Sequence, residues 1–326
     1  MKFSLDEEQR AFASALDEML SDADVPAVVR AWTSGETNGA LELWERLAEL
    51  GALGLSVPET DGGAGATPVD LVVAAGSLGW HCVPGPWIES VAVAPVLLAG
   101  ARNGELLGEI AKGTARVSIA APPVTPYALD AATATHVLLA GDDGLAAAAP
   151  GPGRGSVDPS RTLHPVTGTG APTPLPDGTL DAALDLGALA CAAALVGAAD
   201  RMLASATEHA GQRHQFGRAI GEHQAVKHQL ADVKVGLDFA RPLVLGAARE
   251  IAAGSPTARR TVSAAKVAAS TAAHRAARTA LQVHGAIGYT RESDLSTCLL
   301  RTRALIGAWG TPAHHRARVL DELAAA

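Results

Sequence analysis

Four histidines, His209, His214, His223 and His228, fall within one short stretch, and imidazole is a common metal ligand. Their spacings of five, nine and five residues put them on no common helical face with a carboxylate, so solvated or hydrogen-bonded histidines are expected and no metal site. Gly63-Ala64-Gly65-Ala66-Thr67-Pro68 superficially resembles a dinucleotide-binding glycine signature, but Pro68 replaces the third glycine and no βαβ pattern surrounds it. A serine nucleophile elbow and a phosphate-binding GxxxxGK[ST] loop are both absent. Three runs remain: Gln212-Arg213-His214-Gln215-Phe216-Gly217, Glu222-His223-Gln224, and Leu281-Gln282-Val283-His284-Gly285-Ala286-Ile287-Gly288-Tyr289. Each gathers guanidinium, amide or imidazole groups, two of them beside glycine. The plainer reading is an exposed loop arginine and a helix-end amide.

A chain of 326 residues is long enough for a sizeable core without disulfides or metal. Its 26 Lys and Arg against 34 Asp and Glu give a net charge of −8, the wrong sign for a protein that neutralises phosphate backbones, so nucleic acid is not an expected partner. Hydrophobic residues reach 48% with only 3% aromatics, a composition for closely packed helices and not for disorder. Cys82, Cys191 and Cys298 lie far apart with no CxxC pair, which speaks against a disulfide framework or a zinc site and fits a reducing cytoplasm. The amino terminus reaches Asp6-Glu7-Glu8 at once, unlike a signal peptide. The longest uncharged stretch, Leu186 to Ala199, is shorter than the roughly 20 residues of a membrane span, so a buried helix core is expected and no membrane.

The elements follow from caps and periodicity. Ser4-Leu5-Asp6-Glu7 reads as a capping box opening an amphipathic helix through Phe12, Leu16 and Met19. Further helices are predicted over Leu41–Leu50, over Pro68 to Leu78, and in the apolar run Val91–Leu98 after Pro84-Gly85-Pro86. From Arg116 the character changes to short β-prone pieces, Arg116–Ala120 and Thr135–Leu139, followed by a Pro/Gly-rich, loop-like segment from Pro150 to Gly178. After Asp181 helices return, one to about Ala210 and another from Glu222 through Leu237 with a kink expected at Pro242. A third starts at the cap Ser255-Pro256 and stops at Gly285, and a fourth starts at Thr311-Pro312. The expected fold is mainly α with a β insert: a helical domain over 1–112, a degenerate β-domain over 113–180, and a four-helix domain over 181–326.

The R-x-x-F-G turn at Arg213, the His223-Gln224 pair and the Q-x-x-G-x-x-G-[FY] turn at Gln282, in this order and spacing, resemble the acyl-CoA dehydrogenase family. Trp44–Gly51 and Val57-Pro58-Glu59 look like its opening domain, so the resemblance covers Phe3 to about Leu98 and Asp185 to Leu323. It implies the three-part fold above and FAD as cofactor. By resemblance, Arg213, Gln215, Phe216, His223, Gln224, Gln282, His284, Gly285 and Ala286 reach across a subunit interface to the diphosphate and adenine side of FAD on the neighbour. The chemistry suits those roles: an arginine fork can hold a diphosphate with two parallel hydrogen bonds, and small residues let backbone N–H groups approach anionic oxygens. Ala286 stands where the family has a second glycine.

The catalytic side is depleted. α,β-Dehydrogenation of a thioester needs a carboxylate to take the α-proton while a hydride leaves Cβ, and the family carries that glutamate just before Gly-Thr in its final loop. Here the loop reads Ala308-Trp309-Gly310-Thr311. The alternative position in some members corresponds to about Gly187; Asp185 is two residues off, a rotation of about 200° on a helix. The family's T-E-P-x-x-G-S-D stretch against flavin and substrate corresponds to Ala120–Pro126, without its glycine, serine or acid. No catalytic residue is therefore assigned. The resemblance is to the non-catalytic subunit of an α2β2 heteromeric acyl-CoA dehydrogenase of bacterial sterol side-chain degradation, inactive alone. Its implied partners are a homologous catalytic subunit carrying the acyl-CoA and an electron-transfer flavoprotein as acceptor. Two alternatives stay open: an autonomous flavoenzyme with an atypical base, such as Asp185 or a water relay, and a flavin-free scaffold or acyl-CoA-binding module.

Overall fold

The computed structural model describes residues 4–215, 217–290 and 293–324. Six helices form the first part: α1 (Glu7–Asp22), α2 (Val25–Thr33), α3 (Asn38–Glu49), α4 (Pro68–Trp80), α5 (Ala94–Gly100) and α6 (Gly104–Ala111). The first helix starts two residues later than the Ser4 cap predicts. Asp6 is its N-cap, accepting from the Gln9 backbone at 2.8 Å while the Gln9 side chain accepts from the Asp6 backbone at 3.2 Å, a box whose closing residue is an amide. α2 and α6 are additional to the sequence expectation. A π-helical turn, Glu89–Val93, leads directly into α5.

The middle part holds seven short strands: β1 (Val117–Ala120), β2 (Ala128–Leu129), β3 (His136–Gly141), β4 (Gly144–Pro150), β5 (Arg154–Gly155), β6 (Thr162–His164) and β7 (Val166–Gly168). One sheet has the order β1-β3-β4-β7, with β1 and β3 parallel (Val117 opposite His136) and the rest antiparallel. A second, antiparallel sheet runs β2-β6-β5. The Pro/Gly-rich stretch thus supplies only two- and three-residue strands, β5 and β7 at sheet edges and β6 between β2 and β5.

The last part contains α7 (Thr179–Gln212), a hairpin of β8 (His214–Gln215) and β9 (Arg218–Ala219), then α8 (Gln224–Ala252), α9 (Ala258–His284), α10 (Asp294–Gly307) and α11 (Pro312–Ala324). The four expected helices are joined by a fifth, α10. α8 continues through Pro242. α9 begins after Thr257 and not at Ser255-Pro256, because the Ser255 and Thr257 hydroxyls are engaged with each other and with Glu250. α7 is the axis of the molecule: Leu186–Ala199 lies almost wholly inside, packed by α4 and α9. A Cβ on Gly79 would come within 2.3 Å of the Ala194 carbonyl oxygen, and one on Gly197 within 2.0 Å of that of Gly76. α4 and α7 therefore touch backbone to backbone, a closeness that only glycine permits.

α10 is held by two buried cations. Arg301 donates to Asp158 at 2.5 Å, to Ser160 Oγ at 2.8 Å and to the Val83 carbonyl at 2.6 Å, tying the β-region and the start of the chain to one helix. Burial alone would raise the Asp158 carboxyl, but the Arg301 guanidinium and the Ser160 hydrogen bonds together outweigh it and hold the group below its usual range. Lys266 of α9, fully buried, donates to the carbonyls of Leu305 and Ile306 at 3.1 and 3.3 Å, where the end of α10 concentrates negative charge.

Candidate functional site

Two places gather the residues that the sequence singled out. The first is where the β-region meets α7 and the loop between α10 and α11. Trp309 sits there, 2% exposed and at φ +54°, a left-handed conformation that costs a non-glycine residue of order 1 kcal/mol or more. Its carbonyl accepts from His315 Nε2 at 2.9 Å, and His315 Nδ1 lies 3.2 Å from Ser263 Oγ. Burial holds the His315 imidazole down to about 4, so it is neutral at physiological pH. The indole lies against α7 at Gly187, where an added Cβ would stand 2.6 Å from Trp309 Cε3. Gly187 and Trp309 thus form one complementary pair: the ring fills the space that a side chain on α7 would need.

A cavity of about 170 Å³ remains beside the indole, lined among others by Glu89, Thr125, Tyr127, Ser156 and Arg161. Val124 and Pro126 also border it, so the stretch Ala120–Pro126 does reach the same centre as Trp309. Glu89, on the π-helical turn, is 2% exposed, and its Oε2 has no hydrogen-bond partner. Burial pushes its carboxyl up to about 7, with Arg161 opposing. Sequence reasoning passed over Glu89; the only local signal was one acid in an otherwise apolar run after Pro86. Asp185, by contrast, is not a cavity residue. It is bound by Arg318 at 2.5 Å, and burial raises its carboxyl despite that partner. Asp185 thus faces Arg318 and does not line this cavity.

The second place is the end of the helical bundle where α7 and α9 terminate together. Arg213 is the extended C-cap of α7, with its N–H on the His209 carbonyl at 2.9 Å. The chain then turns through the β8–β9 hairpin, with His214 opposite Ala219, Gln215 opposite Arg218, and Gly217 at φ +81°. Phe216 lies outside the described residues. His223 caps α8 in an extended conformation with its Nδ1 3.1 Å from Arg218 Nη2, and Gln224 opens that helix. At the end of α9, the His284 ring stacks on His209 with centroids 4.4 Å apart, and its Nε2 lies 3.3 Å from Ser205 Oγ. These contacts fasten the arginine turn to the glycine turn, where Gly285 takes φ +64° with nothing within 4 Å of its Cβ position.

Arg213, Gln215, Gln224, Gln282, Gly285 and Ala286 are all exposed. Among the described residues Arg213 has no ion pair. An unpaired guanidinium, three amides and an open glycine turn on one surface are suited to an oxygen anion presented from outside the chain. Of the four sequence-clustered histidines, His209, His214 and His223 belong to this end, and no metal-binding group of His, Cys, Asp or Glu occurs among the described residues.

Comparison with known proteins decides the family. Residues 6–105 match the acyl-CoA dehydrogenase N-terminal domain and residues 179–324 the C-terminal domain. The chain belongs to the acyl-CoA dehydrogenase family. It is 32% identical over 296 residues to the acyl-CoA dehydrogenase IpdE2 of Mycobacterium tuberculosis, covering 89% of each chain. To IpdE2 of Mycolicibacterium smegmatis it is 31% identical over 98% of this chain and 100% of that one. Among solved structures, a Tcur3481–Tcur3483 steroid ACAD variant superposes with a TM-score of 0.87 at 22% identity over 98% of both chains. The ChsE4–ChsE5 complex of Mycobacterium tuberculosis gives 0.81 at 23% over 100% of both. A glutaryl-CoA dehydrogenase of Mycobacterium smegmatis, solved with FADH2, gives 0.84 at 17% over 99% of this chain and 96% of that one. At these identities the structural matches establish the fold.

Proposed function

We propose that this chain is the non-catalytic subunit of a heteromeric, FAD-dependent acyl-CoA dehydrogenase, completing the flavin site of a homologous catalytic partner in an α2β2 assembly. The observation that carries the reading is the Gly187–Trp309 pair. It fills the one place where the two candidate base positions of the family meet, and leaves about 170 Å³, below the roughly 300–1,000 Å³ of a site for a drug-sized ligand. The diphosphate-side residues fit their role, being exposed and, at Arg213, unpaired; the ring-side residues do not fit a flavin held by this chain alone. When bound, FAD supplies a hydride acceptor. This chain's part is to hold the diphosphate through Arg213, to present the amides of Gln215, Gln224 and Gln282, and to admit close backbone approach at Gly285 and Ala286. His284, stacked on His209, ties the two turns together, and His223 braces the hairpin through Arg218.

The substrate is then an acyl-CoA bound on the partner. A bulky steroid thioester is favoured by the resemblance to a steroid ACAD pair, with an electron-transfer flavoprotein as acceptor and a cytoplasmic location. Coexpression with a homologous partner is expected to give a heteromer with half the flavin of a homotetramer, and expression alone a colourless, inactive protein. Arg213→Ala removes one charged partner of the diphosphate, worth about 1.5–3 kcal/mol, so flavin retention is expected to fall roughly 10- to 100-fold. A fully flavinylated, active assembly of this chain alone would overturn the proposal. Unchanged flavin content in Arg213→Ala would favour the flavin-free scaffold instead.

One observation favours a second reading. Glu89 is a carboxyl titrating near neutrality, with a free oxygen, in the cavity beside Trp309, as a general base requires. An autonomous enzyme would lose activity in Glu89→Gln, whereas the heteromer proposed here keeps it.

A further inference from the structure

Cys82 and Cys298, 216 residues apart in sequence, are brought together with their sulfurs at 3.2 Å. Both are free thiols, 3% and 6% exposed. Cys82 follows the end of α4 at φ +55°, and Cys298 stands in the second turn of α10. A cavity of about 280 Å³ is lined by both cysteines and by the exposed residues Ser21, Asp24 and Asp294, a volume that accommodates a small oxidant. Arg201 lines that cavity, and Arg301 is anchored one residue from Cys82, on the Val83 carbonyl at 2.6 Å. The hydrogen bond between the thiols lowers the Cys82 pKa against the effect of burial, Arg301 and Arg201 help, and Asp158 opposes.

We propose that Cys82 and Cys298 are a peroxide-reactive dithiol site whose product is a disulfide joining the end of α4 to α10. The Cys82 thiolate attacks one oxygen of hydrogen peroxide, forming an S–O bond and breaking O–O, and the departing hydroxide takes up the proton that Cys82 released. The Cys298 sulfur then displaces hydroxide from that sulfenic acid, forming S–S, and its own proton completes a second water. Two thiols and one peroxide give one disulfide and two waters, so sulfur is oxidised and peroxide oxygen reduced. Reaching a bonded separation of about 2.05 Å asks for roughly 1 Å of approach, within the reach of small side-chain rotations. Cys191 provides an internal control. It is fully buried, its sulfur faces the Leu305 carbonyl at 3.3 Å, and burial raises its thiol, so it is expected to stay reduced.

The test uses the full chain, folded, treated with hydrogen peroxide, denatured in excess alkylating agent and mapped without reductant. The expected result is a loss of about 2 Da, one cross-linked peptide pair containing Cys82 and Cys298, alkylated Cys191, and reversal by dithiothreitol. Cys298→Ser is expected to leave a sulfenic acid at Cys82 that dimedone traps, and to abolish the rise in melting temperature that peroxide gives the unmodified chain. If Cys82 and Cys298 both remain alkylatable after treatment, or take up oxygen separately with no cross-linked pair, the proposal is overturned.

Discussion

At the scale of single residues, the centre of the molecule is a carboxyl and an indole that share a cavity wall. The Glu89 carboxyl, about 7 in the folded chain against 4.5 when solvated, is shifted toward its neutral form by burial. A group raised in this way contributes stability that is fully present below pH 4.5 and lost as pH rises through 7, a span worth about 3 kcal/mol. Asp130, buried and raised to about 6, acts in the same direction. Urea unfolding at pH 5 and pH 8 is therefore expected to show the unmodified chain weakening with pH, and Glu89→Gln weakening by about 2.5 kcal/mol less. An equal slope in both would disprove the burial argument. Trp309 is tested with its neighbour. Gly187→Ala is expected to cost about 1–3 kcal/mol, and much less in a Trp309→Ala background, because the clash needs both partners. Additive losses in that cycle would mean the indole does not set the limit at Gly187. Trp309 was legible in sequence because its place before Gly310-Thr311 marks it, whereas Glu89 was not, since neither burial nor an unpaired oxygen leaves a periodic trace.

At the scale of elements, Arg301 decides how the β-region sits on the helices. Two of its three contacts, Asp158 and Ser160, come from the Pro/Gly-rich stretch that reads as loop, and the third is the Val83 carbonyl. Asp158→Ala leaves that guanidinium buried without its counter-charge, an expected loss of about 3–5 kcal/mol in chemical denaturation; a loss below 1 kcal/mol would show that the pair is solvated in solution. The long helices and the Gly285 and Thr311-Pro312 boundaries could be read directly, since apolar periodicity, glycine stops and proline starts are local signals. α2 and α6 were missed because each is short, and α10 because its cation-facing side is polar for a tertiary reason, Arg301 and its buried partners. The caps at Ser4 and Ser255 were displaced by two residues where another side chain offered the better hydrogen bond, Asp6 in the first case and Glu250 in the second.

At the scale of the whole molecule, one continuous apolar core runs from Leu16 in α1 through α4 and β1 to α7, α9 and Trp309. Its axis is Leu186–Ala199, so the amides of that stretch are expected to exchange only through global opening. Hydrogen-exchange mass spectrometry should find them slowest, with the β8–β9 hairpin and its exposed Arg213 turn far faster. Equal protection in both would mean that the Arg213 turn is not an independent surface. The order of synthesis adds a consequence of that axis. α4 leaves the ribosome ahead of α7, but α9, which packs along it, begins only at Ala258, well after α7 ends at Gln212. For that interval a helix apolar and long enough to cross a bilayer lacks the covering that the later helices give it, and its apolar surface stays open to aggregation until they are made.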